Sequence, residues 1–485
     1  MRAGSEVSVV GAGVIAKSVA LALARSGARV AIFAPTGLAA RSASRASGAM
    51  LGAFAEYTKD KDTRADRAEG VLREAAGLRW QSWYDELADG TPAAGRVRRG
   101  TFIVASNNGL ADVDNIEFIK SRADASGQRS EWIDARDVPG LEPHRLSRPL
   151  RVLALPDEGY IESGTVLAAL DAALERHPSV LVVDDAVESV SLSGPRPVVR
   201  TRRGEDHPAD RVVVAAGADT CGLLRDLELG GTPLPAMLGG RGASLVVETD
   251  VRFGGVIRTP NRDFACGTHV VPMAGGRAYL GATNRLETSS FDRPQLSLGE
   301  LHSLSHSLAN EVNVWLRTAS VVETRAGYRP IASDGYPLFG RAGGSDVFVA
   351  TATYRNGMLM APEIADTVAR EVLGLEAVQD NPFAPEARDG LFADRDVTAT
   401  MLASLRQVVS FVQEPDGNLP FDRAAELESL LAAFLSAALG LEHGRDVLER
   451  YERLTRQYPI SEAMPLLMYE IAGAARPAAA VAAHG

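Results

Sequence analysis

The sequence "VSVVGAGVIAKSVALALARSGARVAIF", residues 7–33, decides the fold. Its opening valines and its closing "RVAIF" predict two buried parallel strands, joined by a helix with an apolar face. Between the first strand and the helix, Gly11, Gly13 and Ala16 match the pattern G-x-G-x-x-A. In that position the first glycine permits a tight turn and the second lets a phosphate approach the backbone. The stretch therefore predicts an α/β fold that binds a dinucleotide.

The position after the second strand is Ala34, followed by Pro35, although such folds place an acidic side chain there for a ribose hydroxyl. Two interpretations are open. Arg41 and Arg45 could bind the 2′-phosphate of NADP, or FAD could be held by other groups. The segment "RSASRASGAML", residues 41–51, favours FAD, because its small side chains and hydroxyls suit a loop pressed against a cofactor.

The composition limits the partners and the location. A chain of 485 residues with 46% hydrophobic and 23% charged residues predicts two or three globular domains. Its net charge of -11 argues against nucleic acid or an anionic membrane surface as a partner. Its two cysteines, Cys221 and Cys266, exclude a disulfide framework and a cysteine-rich metal site. With no secretory leader pattern and no apolar run of about 18 residues, we expect a cytoplasmic protein without a metal ion.

Two segments of the second half carry chemistry: "RAGYRPIASDGYPLFG", residues 325–340, and "YRNGMLMAP", residues 354–362. The second predicts a helix that begins near Gly357. The unpaired N–H groups of a helix start attract an anion or an electron-rich ring edge, and a glycine lets a flat group come close. In the first segment, Arg329 offers a planar, permanently charged donor that can bind a carboxylate through two hydrogen bonds.

Together with "GAGVIA" (residues 11–16), "ASGAMLGAFAE" (residues 46–56) and "DRVVVAAGAD" (residues 210–219), these segments resemble the FAD-dependent D-amino acid oxidase superfamily, most closely its glycine oxidase branch. The resemblance covers residues 5 to about 375. It implies an α/β flavoprotein of two domains. These are a Rossmann-like FAD-binding domain over 1–90, 140–230 and 320–375, and an antiparallel-sheet substrate domain over 91–139 and 231–319.

The resemblance also implies the reaction. A hydride would pass from the substrate Cα to flavin N5, giving an imine and then a 2-oxo acid, and oxygen would reoxidise the flavin to give hydrogen peroxide. The FAD is expected to be noncovalent, since no cysteine follows Cys266. An N-alkyl amino acid oxidase of the sarcosine type and a non-catalytic FAD-binding assembly protein are alternatives. The later motifs disfavour an NADP-dependent reductase.

The same resemblance implies the site residues. Arg329 and Arg355 are the expected catalytic residues. The expected substrate contacts are Met50, Glu56, His269, Asn284, Arg329, Tyr354 and Arg355. The expected cofactor contacts are Gly11, Gly13, Val14, Ile15, Ala34, Pro35, Arg41, Ser42, Ser47, Gly48, Ala49, Met50, Val187, Ala216, Gly217, Thr353, Tyr354, Arg355, Asn356, Gly357, Met358 and Leu359. His269 stands where the closest relatives have a tyrosine, and Asn284 where an apolar residue is expected, which predicts a more polar pocket than glycine requires.

The resemblance ends near residue 375. "QDNPFAPEARDGLF", residues 379–392, predicts a linker, and apolar stripes at helical spacing predict a helical region over 390–475. Residues 476–485 are predicted to be a disordered tail. The helical region either packs as an ordinary core or forms a docking or dimerisation module. The expected partners of the whole chain are therefore an amino acid, oxygen and, through these helices, a second copy or another protein.

Overall fold

The computed structural model describes residues 5–35, 42–59, 61–88, 95–109, 111–192, 194, 196–224, 227, 234–261, 267–287, 295–332, 334–375, 380–391 and 453. Except for residues 390, 391 and 453, the predicted helical region and the predicted tail lie outside these residues. Arg41, one of the expected cofactor contacts, also lies outside them.

The described strands, in chain order, are β1 Glu6–Val10, β2 Arg29–Phe33, β3 Met50–Leu51, β4 Arg98–Ser106, β5 Glu131–Ile133, β6 Pro149–Tyr160, β7 Val180–Val183, β8 Val187–Ser191, β9 Val198–Thr201, β10 Asp206–Pro208, β11 Arg211–Val214, β12 Met237–Glu248, β13 Val256–Arg258, β14 His269–Pro272, β15 Arg277–Gly281, β16 Arg285–Glu287, β17 Ser320–Ala332, β18 Leu338–Arg341 and β19 Val347–Thr351. The described α-helices are α1 Val14–Arg25, α2 Ala43–Ala46, α3 Arg64–Ala88, α4 Asp112–Ala125, α5 Ser163–Arg176, α6 Thr220–Leu223, α7 Leu298–Glu311, α8 Gly357–Leu373 and α9 Arg388–Leu391.

The first sheet has the strand order β18-β19-β11-β1-β2-β7, and its pairings are parallel except that of β18 with β19. Val7, Val9 and Val10 of β1 are buried, as expected for a central strand that is covered on both faces. The glycine turn leads from β1 into α1, which packs against α5 and α8. The predicted strand, turn, helix and strand over residues 7–33 are confirmed, and so is the predicted α/β class.

The second sheet has ten strands and is antiparallel except for the pairing of β4 with β13. Its longest pairing joins β12 and β17, from Met237 opposite Ala332 to Glu248 opposite Ser320, with one shift of register between Val246 and Val247. Strands β8, β9 and β10 form a separate small antiparallel sheet.

Three strands of the second sheet lie in segments that the sequence analysis assigned to the FAD-binding domain. They are β3, within 1–90, β6, within 140–230, and β17, within 320–375. The physical reason is pairing: β3 hydrogen-bonds to β6, β6 to β4, and β17 along most of its length to β12. Each of the three segments therefore contributes to both sheets.

No described helix is both long enough and apolar enough to cross a membrane.

Candidate active site

A cavity of about 600 Å³ lies where the glycine turn, the start of α8 and the β12–β17 pair meet. Its wall comes from segments far apart in the sequence, which are residues 10–15, 42–50, 215–219, 327–330 and 353–358. Ser42 forms a bridge with Tyr328, which joins the α2 segment to β17 at this wall. The fold thus brings three predicted motifs to one cavity.

The glycine turn and the first residues of α1 line the cavity. Gly11 has φ +139°, and a Cβ there would lie 2.3 Å from the carbonyl oxygen of Ala215, so only glycine fits. Gly13, at the N-cap of α1, offers no side chain to the first turn. Instead the Ser44 hydroxyl, from a different segment, accepts a hydrogen bond from the Val14 N–H at 3.0 Å. This arrangement suits a phosphate group, which prefers a helix N-terminus with free N–H groups.

The start of α8 forms a second backbone-lined part of the wall. The N-cap residue Asn356 makes no capping hydrogen bond with its side chain. Gly357 lines the cavity, and a Cβ there would lie 2.6 Å from the Thr353 hydroxyl oxygen, so a side chain at this position would collide with Thr353. Tyr354 has φ +44° and Ala352 has φ +58°, both in the left-handed region that costs non-glycine residues about 1–3 kcal/mol. Strain of this kind is typical of functional sites.

Arg329, on β17, is half-buried and lines the cavity. Its Nη1 donates to the carbonyl oxygen of Thr283 at 3.0 Å and to Oδ1 of Asn284 at 3.0 Å. The guanidinium lies over Gly242 of β12, where a Cβ would approach Cζ and both terminal nitrogens to 2.3 Å. Among the described residues no carboxylate forms an ion pair with Arg329. The described part of the chain therefore makes room for this cation and orients it without a neutralising carboxylate.

Asn284 connects two residues of the cavity wall without lining the cavity itself. Its Oδ1 accepts from Arg329, and its Nδ2 donates to the Tyr354 hydroxyl at 2.7 Å. The residue is buried. The sequence analysis expects Asn284 to contact the substrate; in the structure it hydrogen-bonds to Arg329 and Tyr354, two residues that line the cavity, and helps to orient both.

Glu56 is the centre of a buried ion-pair network. Its Oε1 accepts from Nη1 of Arg258 at 2.7 Å, and its Oε2 accepts from Asn261 Nδ2 at 2.9 Å and from Nε of Arg355 at 3.2 Å. Burial alone would raise the pKa of Glu56, but Arg258 and Arg355 outweigh it and bring the pKa to about 2. Glu56 is therefore an anion at neutral pH, and both of its oxygens are occupied by the chain itself.

His269, on β14, lines the cavity and is buried. Burial, and then the positive charge of Arg258, lower its pKa to about 3, so the imidazole is neutral at physiological pH. Its Nδ1 lies 3.1 Å from the carbonyl oxygen of Gly267. Because a carbonyl can only accept, Nδ1 carries the proton and Nε2 is an acceptor. The ring stacks on Tyr279 at a centroid distance of 5.8 Å.

A family model described as DAO, FAD dependent oxidoreductase, matches residues 6–371. The chain belongs to this family. It is therefore a FAD-dependent oxidoreductase, as its sequence motifs predict.

Three known proteins illustrate the similarity. ThiO of Rhizobium etli, named for thiamine biosynthesis, is 30% identical over 368 residues, which cover 76% of this chain and 96% of ThiO. The structure of glycine oxidase from Geobacillus kaustophilus aligns with a TM-score of 0.68 and 25% identity, covering 79% of this chain and 98% of that one. The iminodiacetate oxidase of a Chelativorans species aligns with a TM-score of 0.65 and 22% identity, covering 79% and 100%.

The cavity of this family member fits FAD. The glycine turn and the capping hydroxyl of Ser44 suit a pyrophosphate, and the closely packed start of α8 suits a flat ring edge. Most of the residues expected to contact cofactor or substrate line the cavity. They are Gly11, Gly13, Val14, Ile15, Pro35, Ser42, Ser47, Gly48, Ala49, Met50, Glu56, Val187, Ala216, Gly217, His269, Arg329, Thr353, Tyr354, Arg355, Asn356, Gly357 and Met358.

Among the described residues, three expected contacts are not part of the cavity lining. Asn284 hydrogen-bonds to Arg329, which does line it. The N–H of Ala34 donates to the carbonyl oxygen of Val183, which continues the pairing of β2 with β7. Leu359 is 1% exposed, because the first turn of α8 directs it into the core.

The wall also contains residues that motif matching missed. Gly242 and Tyr328 are examples that line the cavity. Glu188 and Arg202 line it from the small antiparallel sheet and the turn beside it. A signal for Gly242 was present, since three of the six residues 237–242 are glycines, an unusual composition for a strand interior. Glu188 and Arg202 had no such signal, because their position depends on how the small sheet packs.

Among the described residues no group of acidic, histidine and cysteine side chains could hold a metal ion.

Proposed function

We propose that this FAD-dependent oxidoreductase oxidises a small or modified amino acid to an imine and then a 2-oxo acid, and that oxygen is reduced to hydrogen peroxide. The observation that carries the proposal is Arg329, an oriented cation on the cavity wall with no carboxylate partner among the described residues. Such a guanidinium is suited to the carboxylate that all amino acids share.

FAD would supply the two-electron oxidation of the substrate's C–N bond. The glycine turn would hold its pyrophosphate, and the N–H groups at the start of α8 would face its ring edge and favour the negative charge that develops there. We propose noncovalent binding. Burial raises the pKa of the Cys221 thiol to about 11, which makes this cysteine a poor nucleophile at neutral pH.

Other wall residues would prepare the substrate for oxidation. Nε2 of the neutral His269 would accept a hydrogen bond from the substrate amine. The positive charges of Arg258, Arg329 and Arg355 would lower the pKa of the substrate ammonium group and favour the neutral amine that the reaction needs. Glu56 would act through Arg355 and not on the amine, because both of its oxygens are already bound.

The substrate could carry a substituent on its nitrogen. The iminodiacetate oxidase that shares this fold is named for such a substrate, and a polar wall containing His269 and Arg355 would accommodate a second polar group. We therefore place N-substituted amino acids, including sarcosine and iminodiacetate, beside simple amino acids as candidate substrates. Glycine, which has no side chain to pair with this wall, is expected to be the poorer substrate.

Anaerobic mixing of the purified holoprotein with a panel of these compounds tests the proposal. The oxidised flavin absorbance should be bleached by at least one compound that bears a carboxylate next to an amine carbon, and admission of oxygen should release hydrogen peroxide. Absence of bleaching across the panel would favour the non-catalytic, FAD-binding alternative. Acid precipitation should release the yellow colour into the supernatant, and colour that stays in the pellet would contradict noncovalent binding.

A further inference from the structure

Glu158, on β6, is a buried carboxyl group just behind the cavity wall. It is 5% exposed, and its Oε1 accepts hydrogen bonds from the N–H groups of Phe54 at 2.6 Å and Ala55 at 3.1 Å. Its other oxygen, Oε2, is buried and has no hydrogen-bond partner. That oxygen lies 3.0 Å from where a Cβ of Gly52 would stand, and Gly52 lines the cavity.

The position of Glu158 explains the course of the chain that carries Glu56. Strand β3 pairs with β6 only at Met50 and Leu51 and then turns away. Phe54 and Ala55 have no strand partner for their N–H groups, and the Glu158 carboxyl group supplies the acceptor instead. The next residue, Glu56, reaches Arg355 on the cavity wall.

We propose that Glu158 is a positioning residue for substrate binding, which holds the turn of residues 52–56 and thereby the ion pair between Glu56 and Arg355. This inference rests on the proposed function, since it concerns how that site binds a carboxylate. Glu158 does not touch the substrate; it acts through the turn.

The surroundings of Glu158 make its own charge depend on pH near neutrality. Burial raises the pKa of Glu158 to about 7, although the Ala55 and Phe54 N–H groups and Arg258 lower it. Glu56 faces it from the same turn, and Arg73, whose Nε donates to the Ala53 carbonyl oxygen, faces the turn from α3. The Glu158 carboxyl group is therefore mostly neutral below pH 7. Above pH 7 it ionises and places a second negative charge near Arg258, the partner of Glu56.

That second charge should weaken the binding of an anionic ligand. It competes with Glu56 for Arg258 and adds negative potential beside the cavity. In a partly screened site, we expect this added charge to raise the dissociation constant of an anionic ligand by about three- to tenfold. His269, with a pKa of about 3, does not titrate in the same interval and cannot produce the same inflection.

The experiment measures the dissociation constant of glycolate, a carboxylate without an amino group, from the change it causes in the flavin absorbance of the holoprotein between pH 5.5 and 9. We expect the wild-type constant to rise three- to tenfold with an inflection near pH 7. Glu158→Gln keeps a carbonyl acceptor for Phe54 and Ala55 and should remove the inflection. Glu158→Ala should bind glycolate more weakly at every pH, because the acceptor is lost. Glu131→Gln, an exposed carboxylate replaced on the neighbouring strand β5, should behave as wild type.

An inflection that persists in Glu158→Gln, or a flat profile in the wild type, overturns the inference. If Glu158→Gln does not fold, ¹³C NMR of the wild-type holoprotein with labelled glutamate carboxyl groups decides instead. One carboxyl resonance must titrate near pH 7 together with the glycolate constant, and its absence overturns the inference. Glycolate that binds without any dependence on Glu158 refutes only this inference. Glycolate that fails to bind at any pH refutes the carboxylate site itself, and the inference with it.

Discussion

The cavity wall near Gly11 and the wall around Arg329 are built in different ways. The first consists of a glycine turn, a helix start and a serine hydroxyl. The second consists of charged side chains, each oriented by hydrogen bonds with residues distant in sequence. A backbone site is encoded by a short local pattern, whereas a side-chain site is encoded by pairs that only the complete fold brings together. The two walls should therefore respond differently to substitution.

The largest effect is expected at Arg329. Replacement by alanine removes the carboxylate contact in a desolvated site, so kcat/KM should fall about 30-fold or more while FAD remains bound. Steady-state kinetics and the flavin absorbance of the purified variant measure the two quantities. Arg325→Ala is the matched control, because Arg325 lies on the same strand but is already paired with Glu323 at 2.9 Å. Equal losses in both variants would show that Arg329 is not the anchor.

Replacement of Glu158 should change the free energy of unfolding by a comparable amount, and only at high pH. The folded-state pKa of about 7 lies above the ordinary glutamate pKa of 4.5, so folding favours the protonated form. The stability that this form provides is complete below pH 4.5 and is lost as the pH rises through about 7. Glu158→Gln cannot ionise, and should therefore be more stable than wild type at pH 8.5 by up to about 3 kcal/mol, with little difference at pH 4.5. Denaturant unfolding at both pH values measures this, and a benefit at the lower pH alone would reverse the assigned sign.

A substitution in the wall near Gly11 should weaken the binding of FAD. Gly11→Ala forces a Cβ against the Ala215 carbonyl oxygen, so the dissociation constant of FAD should rise about tenfold or more. Titration of apoprotein with FAD, followed by flavin fluorescence, measures it. Gly27→Ala is the control: Gly27 also has a positive φ, +90°, but no atom lies within 4 Å of its Cβ position, at the opposite end of α1. A similar loss of affinity in that control would mean that general strain, and not the turn, is responsible.

The smallest effects should separate His269 from Asn284. Asn284→Met removes a hydrogen bond from both Arg329 and Tyr354, and should lower kcat/KM about five- to tenfold for every substrate alike. His269→Tyr changes a residue that lines the cavity, and should alter the ranking of substrates toward glycine by a few-fold. Kinetics across one panel of amino acids measure both. If the ranking of substrates changed in Asn284→Met and not in His269→Tyr, Asn284 and not His269 would set the specificity, which contradicts this prediction.

The sequence predicted the wall near Gly11 well and the other wall only in part. The glycine turn and the start of α8 are local patterns, so spacing alone located them. Arg329 was found because its own motif is distinctive. The network of Glu56 with Arg258 and Arg355 could not be predicted, because those pairs are separated by 202 and 299 positions. The hydrogen bonds of Asn284 to Arg329 and Tyr354 could not be predicted either, since orientation within a turn has no signature in a single sequence.

The wide spacing of the wall segments also sets an order of events during synthesis. The glycine turn leaves the ribosome long before the strand that pairs with β12, which ends at Ala332, and the start of α8, which follows at Gly357. A nascent chain that ends before Gly357 has the glycine turn but lacks part of the wall segment of residues 353–358. We therefore expect FAD to bind only after this segment has been made, and a cofactor that binds only the folded form then stabilises both sheets together by mass action.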